Sequence, residues 1–366
     1  MPLAFRVTKL EEHNMEFGVA FTSRIGDYDL VAMAESLGFD QAWFFDSQMI
    51  YSDVYATMAV AARETRRIRL ATGVAVPTTR MAPVIAHSIA SIAELAPGRV
   101  ELGVGNGNTA RLTMGLQPVP LGRMKREIRT IQALLRGDAT LHEAEGQSHL
   151  IQLLHRHDGF INLDHHIPVT LSAFGDKTLA YCGAECDAHL TWHPSAESLT
   201  ANRGIIDEAA RKAGRNPALL PSKAIAPLEI LRPGETAGSA RVLHSLGPFI
   251  TNLLHVMVEW DGGLLRSSPR IADLVERYRA YVDSLPKDRR HLILHEGHLV
   301  YTRPEEREYL TADIANTAAV IGDPDQIIAH IKSLEAAGLT HFAFQVTGDP
   351  VGQMRAFAET VMRRYA

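Results

Sequence analysis

Two hydrophobic patterns alternate along this chain. Short, nearly unbroken apolar runs, the mark of strands buried on both faces, are followed by longer stretches in which apolar positions recur every three or four residues, the mark of amphipathic helices. EFGVAF (16–21) reads as a strand, and DYDLVAMAESLG as a helix closed by Gly38. QAWFFD (41–46) is a second strand, and the DVYATMAVAARET segment a second helix. IRLATGVAV (68–76) is a third strand, and VELGVG (100–105) a fourth. Between these two lies a helix with Pro83 near its start and Pro97-Gly98 at its end, the positions where a helix tolerates proline and stops.

The rhythm continues with interruptions. LHEAEGQSHLIQLLHRHDGFINLDH, near 139–165, alternates like an antiparallel hairpin and reads as an insertion. VTLSAFG (169–175) is strand five, with a helix opening at Asp176, and AHLTW (188–192) is strand six. APLEILRP is strand seven, and HFAFQVT (341–347) strand eight after the helix GDPDQIIAHIKSLEAAG. Between about 235 and 310 no strand pattern occurs, and the periodicity is helical, broken at WDGG and SSPR. Eight strands separated by helices require a parallel sheet with right-handed crossovers, either open and doubly wound or closed. The count favours a (β/α)8 TIM barrel in the α/β class. One domain over 1–366 is expected, carrying the hairpin near 139–165 and a helical insertion, or lid, at 235–310.

Composition narrows the partners. The 366 residues are 46% hydrophobic and 22% charged with a net charge of -5, enough apolar material for a large core. No basic face provides the electrostatic footprint of a nucleic-acid binder, so no nucleic acid is expected. No apolar run is long enough to span a bilayer, and MPLAFRVTKLEEHN has no signal-peptide core, so no membrane contact and a cytoplasmic location are expected. Cys182 and Cys186, four residues apart, read as packed thiols on a helix.

Candidate chemistry gathers at strand ends. WFFDSQMIY places Asp46 and Gln48 where strand two leaves the core, both as catalytic candidates, with Asp46 for proton handling or a hydrogen bond to a ligand; capping of the next helix is the competing role for Asp46. GVGNGNTA (103–110) follows the fourth strand with G-x-G-x-G spacing rather than the dinucleotide G-x-G-x-x-G, and offers close backbone approach to a ligand. Among 17 histidines, the H-E-G-H of 295–298 lacks the two-residue gap of a helical zinc motif, so no metal site is expected. His295 and His298 are expected to line a substrate cavity from the insertion, Trp260-Asp261-Gly262-Gly263 to hinge it, and His87 and His255 to be satisfied locally on helices.

FDQAWFFDSQMIYSDVY, RIRLATGVAVPTTRMAPVIAHSIASIAEL, GRVELGVGNGNTARLTMG and GDPDQIIAHIKSLEAAGLTHFAFQ, in that order, resemble the bacterial luciferase-like superfamily. The resemblance is to its branch similar to methylenetetrahydromethanopterin reductase. It implies a (β/α)8 barrel holding a reduced flavin-type cofactor at its C-terminal mouth. It further implies a non-prolyl cis peptide at Gly73-Val74-Ala75 against the cofactor ring, and a pocket wall from Phe21, Thr22 and Ser23. Gly105, Asn106, Gly107, Asn108 and Thr109 would contact the cofactor, together with Ser172. Gly175, Asp176 and Lys177 would hold its phosphate at a helix N-terminus. The leading expectation is a two-component monooxygenase, in which FMN reduced by a separate flavin reductase and O2 oxygenate a small organic substrate. The alternative is hydride exchange with F420, and a third reading is a non-catalytic barrel subunit. A homodimer is expected by analogy with the family.

Overall fold

The computed structural model describes residues 15–259 and 271–365. The first half runs β1 (Glu16–Phe21), α1 (Tyr28–Leu37), β2 (Gln41–Phe44), α2 (Val54–Glu64), β3 (Arg69–Thr72), α3 (Ala82–Leu95), β4 (Val100–Val104), α4 (Asn108–Leu112) and α5 (Leu121–Leu135). A hairpin of β5 (Thr140–Ala144) and β6 (Gln147–Ile151) follows, then β7 (Val169–Ser172), α6 (Asp176–Glu185), β8 (Ala188–Trp192), α7 (Ala196–Lys212) and β9 (Ser222–Ile230). The insertion supplies α8 (Ala240–Glu259), α9 (Ala272–Ser284) and α10 (Arg290–His295). The chain closes with α11 (Ala312–Ala318), β10 (Val320–Gly322), α12 (Pro324–Ala336), β11 (Leu339–Gln345) and α13 (Pro350–Phe357).

All pairings in the large sheet are parallel, in the order β11-β1-β2-β3-β4-β7-β8-β9. β9 pairs with both β8 and β11, which closes an eight-stranded barrel. The hairpin near 139–165 lies outside it, in a separate two-stranded sheet. β3 stops at Thr72, short of its apolar run to Val76, and two further elements differ from the sequence expectation. β10, three residues parallel to the end of β9, is too short to give a pattern of its own. β9 begins at Ser222 rather than 226, because the polar Ser222 and Lys223 are buried strand residues and not a loop. Trp260 to Gly263, expected as a hinge, lie outside the described residues.

Alternation along each strand separates two apolar layers. Phe17, Val19, Phe44, Leu70, Leu102 and Leu171 face the surrounding helices. Ala20, Trp43, Phe45, Ala71, Leu190, Ile225 and Ala343 face inward, in one cluster with Leu246, Phe249 and Ile250 of α8 and Val275 and Tyr278 of α9. The insertion therefore packs over the barrel's interior side chains and covers its mouth. Local signals fix the outer helices: Asp53 caps α2, Gly38 ends α1 at φ 94°, and Asp323 with Gln326 forms a reciprocal cap on α12.

Among the described residues no helix is long and apolar enough to cross a membrane. Cys182 and Cys186 are free and buried, with Cys182 Sγ donating to the Ala188 carbonyl at 3.4 Å.

Candidate active site

Strand β2 ends at Phe44, Phe45 follows with its ring in the inward cluster, and the next residue carries the charge. Asp46 is buried, and Arg80 donates from one guanidinium nitrogen to both its carboxylate oxygens, at 3.0 and 2.8 Å. Gln48 Nε2 donates to Asp46 Oδ1 at 2.5 Å. The other end of Arg80 reaches Asp53 Oδ2 at 2.6 Å. Asp53 uses its remaining oxygen to accept from the backbone N–H groups of Tyr55 and Ala56, both at 3.0 Å. The capping role considered for Asp46 thus belongs to Asp53, and Asp46 is left with two side-chain partners.

Burial pushes the Asp46 carboxyl up to about 6, even though the Arg80 guanidinium favours its ionised form. Asp53 moves the other way: desolvation raises it, but the Ala56 N–H and Arg80 more than offset this and hold it low. One arginine thus bridges a carboxylate that stays ionised and one that titrates near neutrality. Arg80 was not singled out in the sequence. Its signal was the TTR that ends the loop after strand three, since β3 is the neighbour of β2 in the barrel.

The adjoining strands build a close-packed wall. The Gly73–Val74 peptide is cis, as the resemblance implies. Beyond it, Ala75 N–H donates to the Gly103 carbonyl at 2.8 Å and Gly105 N–H to the Ala75 carbonyl at 3.0 Å. A Cβ on Gly103 would stand 2.1 Å from the Thr72 carbonyl oxygen, and one on Gly105 2.6 Å from Val74 Cγ2. Gly107, at φ 73°, lies under Val76, 2.5 Å from where its own Cβ would be. The G-x-G-x-G spacing therefore first serves the crossing of β3 and β4. Asn108, which opens α4, and Thr109 are half-buried, and Asn106 is exposed.

Ser172 ends β7 half-buried, and Gly175, Asp176 and Lys177 are exposed at the start of α6. Gly175 offers no side-chain cap to that helix and has open space around it, and Lys177 is exposed in the helix's first turn. Thr22 is half-buried, whereas Ser23 is buried and donates to the Phe45 carbonyl at 2.6 Å, tying β1 to β2.

His295 and His298 lie deep in the insertion. Their rings stack edge-on, 5.8 Å apart, His295 meets His255 at 5.7 Å, and Tyr51 donates to the His298 carbonyl at 2.9 Å. Burial pushes the His298 imidazole well below its usual range, with His295 and His255 adding to the effect. The structure thus joins these histidines to the loop that carries Asp46 and Gln48 through Tyr51. His255 is not satisfied on its own helix: its Nε2 lies 2.9 Å from Glu306 Oε1, to which Tyr278 also donates. His87 is exposed. Among the described residues no three His, Cys, Asp or Glu side chains converge on a metal position.

Four of the five buried side-chain amide atoms without a protein partner among the described residues belong to three residues, Gln48 (Oε1), Asn108 (Oδ1) and Gln345 (Nε2 and Oε1); the fifth is Gln41 Oε1, at the start of β2. Gln48, Asn108 and Gln345 stand at the C-terminal ends of barrel strands or in the loops that follow. Of these, Asn108, together with the open N-terminus of α6, fits a polar ring and a phosphate bound at that mouth.

A closed (β/α)8 barrel with Asp46, Arg80, Gln48 and Asn108 just beyond the C-terminal ends of its strands has the layout in which such barrels place their sites. The family model described as luciferase-like monooxygenase matches residues 26–341, and the chain belongs to that family. A 5,10-methylenetetrahydromethanopterin reductase of Archaeoglobus fulgidus is 25% identical over 92% of this chain and 94% of its own length. The same-named protein of Methanolobus tindarius is 33% identical over 56% of this chain and 62% of its own length. An F420-dependent glucose-6-phosphate dehydrogenase of Nocardia farcinica is 26% identical over 87% of both chains. In structure, the coenzyme F420-dependent tetrahydromethanopterin reductase of Methanopyrus kandleri superposes with a TM-score of 0.72 at 18% identity, over 96% of this chain and all of its own. Monooxygenase RslO1 of Streptomyces bottropensis superposes at 0.61 and 16% identity, over 96% of this chain and all of its own. These comparisons favour F420 over the reduced FMN that the sequence reading put first.

Proposed function

We propose that this protein is an F420-dependent oxidoreductase that exchanges a hydride with a small organic substrate at the C-terminal mouth of the barrel. The observation that carries the chemistry is Asp46, a buried carboxyl titrating near 6 and fixed by Arg80 and Gln48 at the end of β2. Support for the cofactor comes from relatives of 25 to 26% identity over nearly the whole chain, among them an enzyme named for F420.

Bound at the mouth, F420 would supply a two-electron hydride carrier. Gly73, Val74 and Ala75 would back its ring, Asn108 would meet it with its unpaired amide oxygen, and the first N–H groups of α6 with Lys177 would hold its phosphate. Asp46 would give a proton to the substrate atom that does not take the hydride, or accept it in the reverse direction. Arg80 and Gln48 fix the carboxyl's orientation, and the insertion over the mouth keeps bulk water from the exchange.

The test is anaerobic oxidation of F420H2 by the purified protein against a panel of small ketones, aldehydes and cyclic imines. At least one acceptor should restore the oxidised cofactor's absorbance. Asp46→Asn should slow that reaction by about 10²–10⁴-fold while F420 affinity stays within about twofold. An unslowed Asp46→Asn variant would remove the carboxyl from the chemistry.

A further inference from the structure

Gln345 ends β11, and it is fully buried with neither amide atom paired to protein. The alternation of β11 gives its direction. Ala343, two residues earlier, belongs to the inward-facing cluster, so Gln345 also faces the interior, one step nearer the mouth. Its register partners are Ala20 on β1 and Pro227 on β9. Neither has a side chain that can bond an amide, and Pro227 has no N–H either. The other polar side chains of β11 and the residues just beyond it are engaged: Thr340 and His341, at its start, with each other and His341 with Glu16, and Thr347, past its end, with Ser245 and Gln353. Gln345 alone among them is left open.

A buried carboxamide without partners weakens the fold relative to an apolar side chain of the same size, and it leaves a donor and an acceptor free for a ligand. The barrel order indicates which ligand. The proposed cofactor wall is built on β3, β4 and β7, whereas β11 lies between β1 and β9 on the opposite arc. A group projecting from that arc meets whatever binds against the cofactor's free face.

We infer that Gln345 is the specificity residue for the substrate, and that the substrate presents it with an N–H beside a C=O, as in an open or cyclic amide. A carboxamide offers a donor and an acceptor side by side, the complement of that edge, and a site built this way rejects analogues that lack one half of it. The inference rests on the reading of the C-terminal mouth as the reaction site.

The probes are 2-pyridone, which carries the full edge, and N-methyl-2-pyridone, in which the donor is blocked. Binding of each is followed by saturation-transfer NMR on wild type, Gln345→Leu and Gln345→Met, with and without F420. Wild type should prefer 2-pyridone by about tenfold or more, and both variants should lose that preference while keeping F420 affinity within about twofold. Both variants should also melt at or above the wild-type temperature, since an unpaired amide has been removed. Equal binding of the two pyridones by wild type would overturn the inference, as would a fall of several degrees in the melting temperature of both variants. Loss of F420 binding in all three proteins would instead overturn the cofactor reading, and the cofactor-free pyridone comparison would still decide the role of Gln345.

Discussion

Asp46 has a pH signature that can be measured without knowing the substrate. Its carboxyl rises from 3.8 to about 6 on folding because burial disfavours the charge. The folded chain therefore holds this proton more tightly than the unfolded chain does. The associated stability is fully present below about pH 4 and is lost as pH rises through 6; the difference is about 3 kcal/mol. Asp46→Asn should flatten that part of the stability–pH curve, measured by urea denaturation between pH 4 and 7; an unchanged slope would show that Asp46 does not titrate there. Arg80→Met should push the Asp46 carboxyl higher still and move the corresponding limb of the rate–pH profile to more alkaline values. The sequence exposed Asp46 and Gln48 because polar residues ended an apolar run. It concealed Arg80 and Gln345. Arg80 is 34 positions from its partner, and no spacing rule links the loops of adjacent strands. Gln345 lay unremarked within the strand HFAFQVT, and only the closed barrel shows that it points inward.

The elements were legible wherever hydrophobic periodicity determines them. All eight barrel strands announced themselves as apolar runs, but strand three is shorter than its run. Ladder pairing ends at Thr72, and after the cis Gly73–Val74 peptide only Ala75 bridges back, to Val104. Gly105 and Gly107, expected as cofactor contacts just after β4, also lie hard against Val74 and Val76. Gly105→Ala should cost about 1–3 kcal/mol, because its Cβ would land 2.6 Å from Val74 Cγ2. The clash is with a side chain, so the pair Gly105→Ala with Val74→Ala should recover most of the loss in a double-mutant cycle. Gly103→Ala should have no such rescue, as its obstacle is the Thr72 backbone oxygen. If the two alanine variants proved equally rescuable by Val74→Ala, the packing account of this loop would be wrong.

At the scale of the molecule, a buried charge cluster ties together strands that are distant in sequence. Lys223 of β9 donates to both oxygens of Glu101 on β4, at 2.8 and 2.6 Å, and Glu101 also accepts from Gln41 of β2 and Thr170 of β7. Lys223→Met should destabilise the protein by about 3–5 kcal/mol by leaving Glu101 charged and unpaired, and Lys223→Met with Glu101→Leu should recover much of that in thermal denaturation. This cluster also explains why the start of β9 was misread, since a lysine inside a barrel makes sense only beside its partner. Above it, the insertion covers the mouth with α8 and α9, the part of the chain whose helical pattern says least about chemistry. The central claim, that this mouth serves F420 rather than flavin, is tested most directly by anaerobic titration of the purified protein with F420H2 and, separately, FMNH2, each followed by a pulse of oxygenated buffer. The account predicts saturable F420H2 binding at least about tenfold tighter than FMNH2, with no oxygen consumed by the F420H2 complex. Tight FMNH2 binding with an oxygen-dependent transient in the flavin absorbance would contradict it and establish the monooxygenase reading instead.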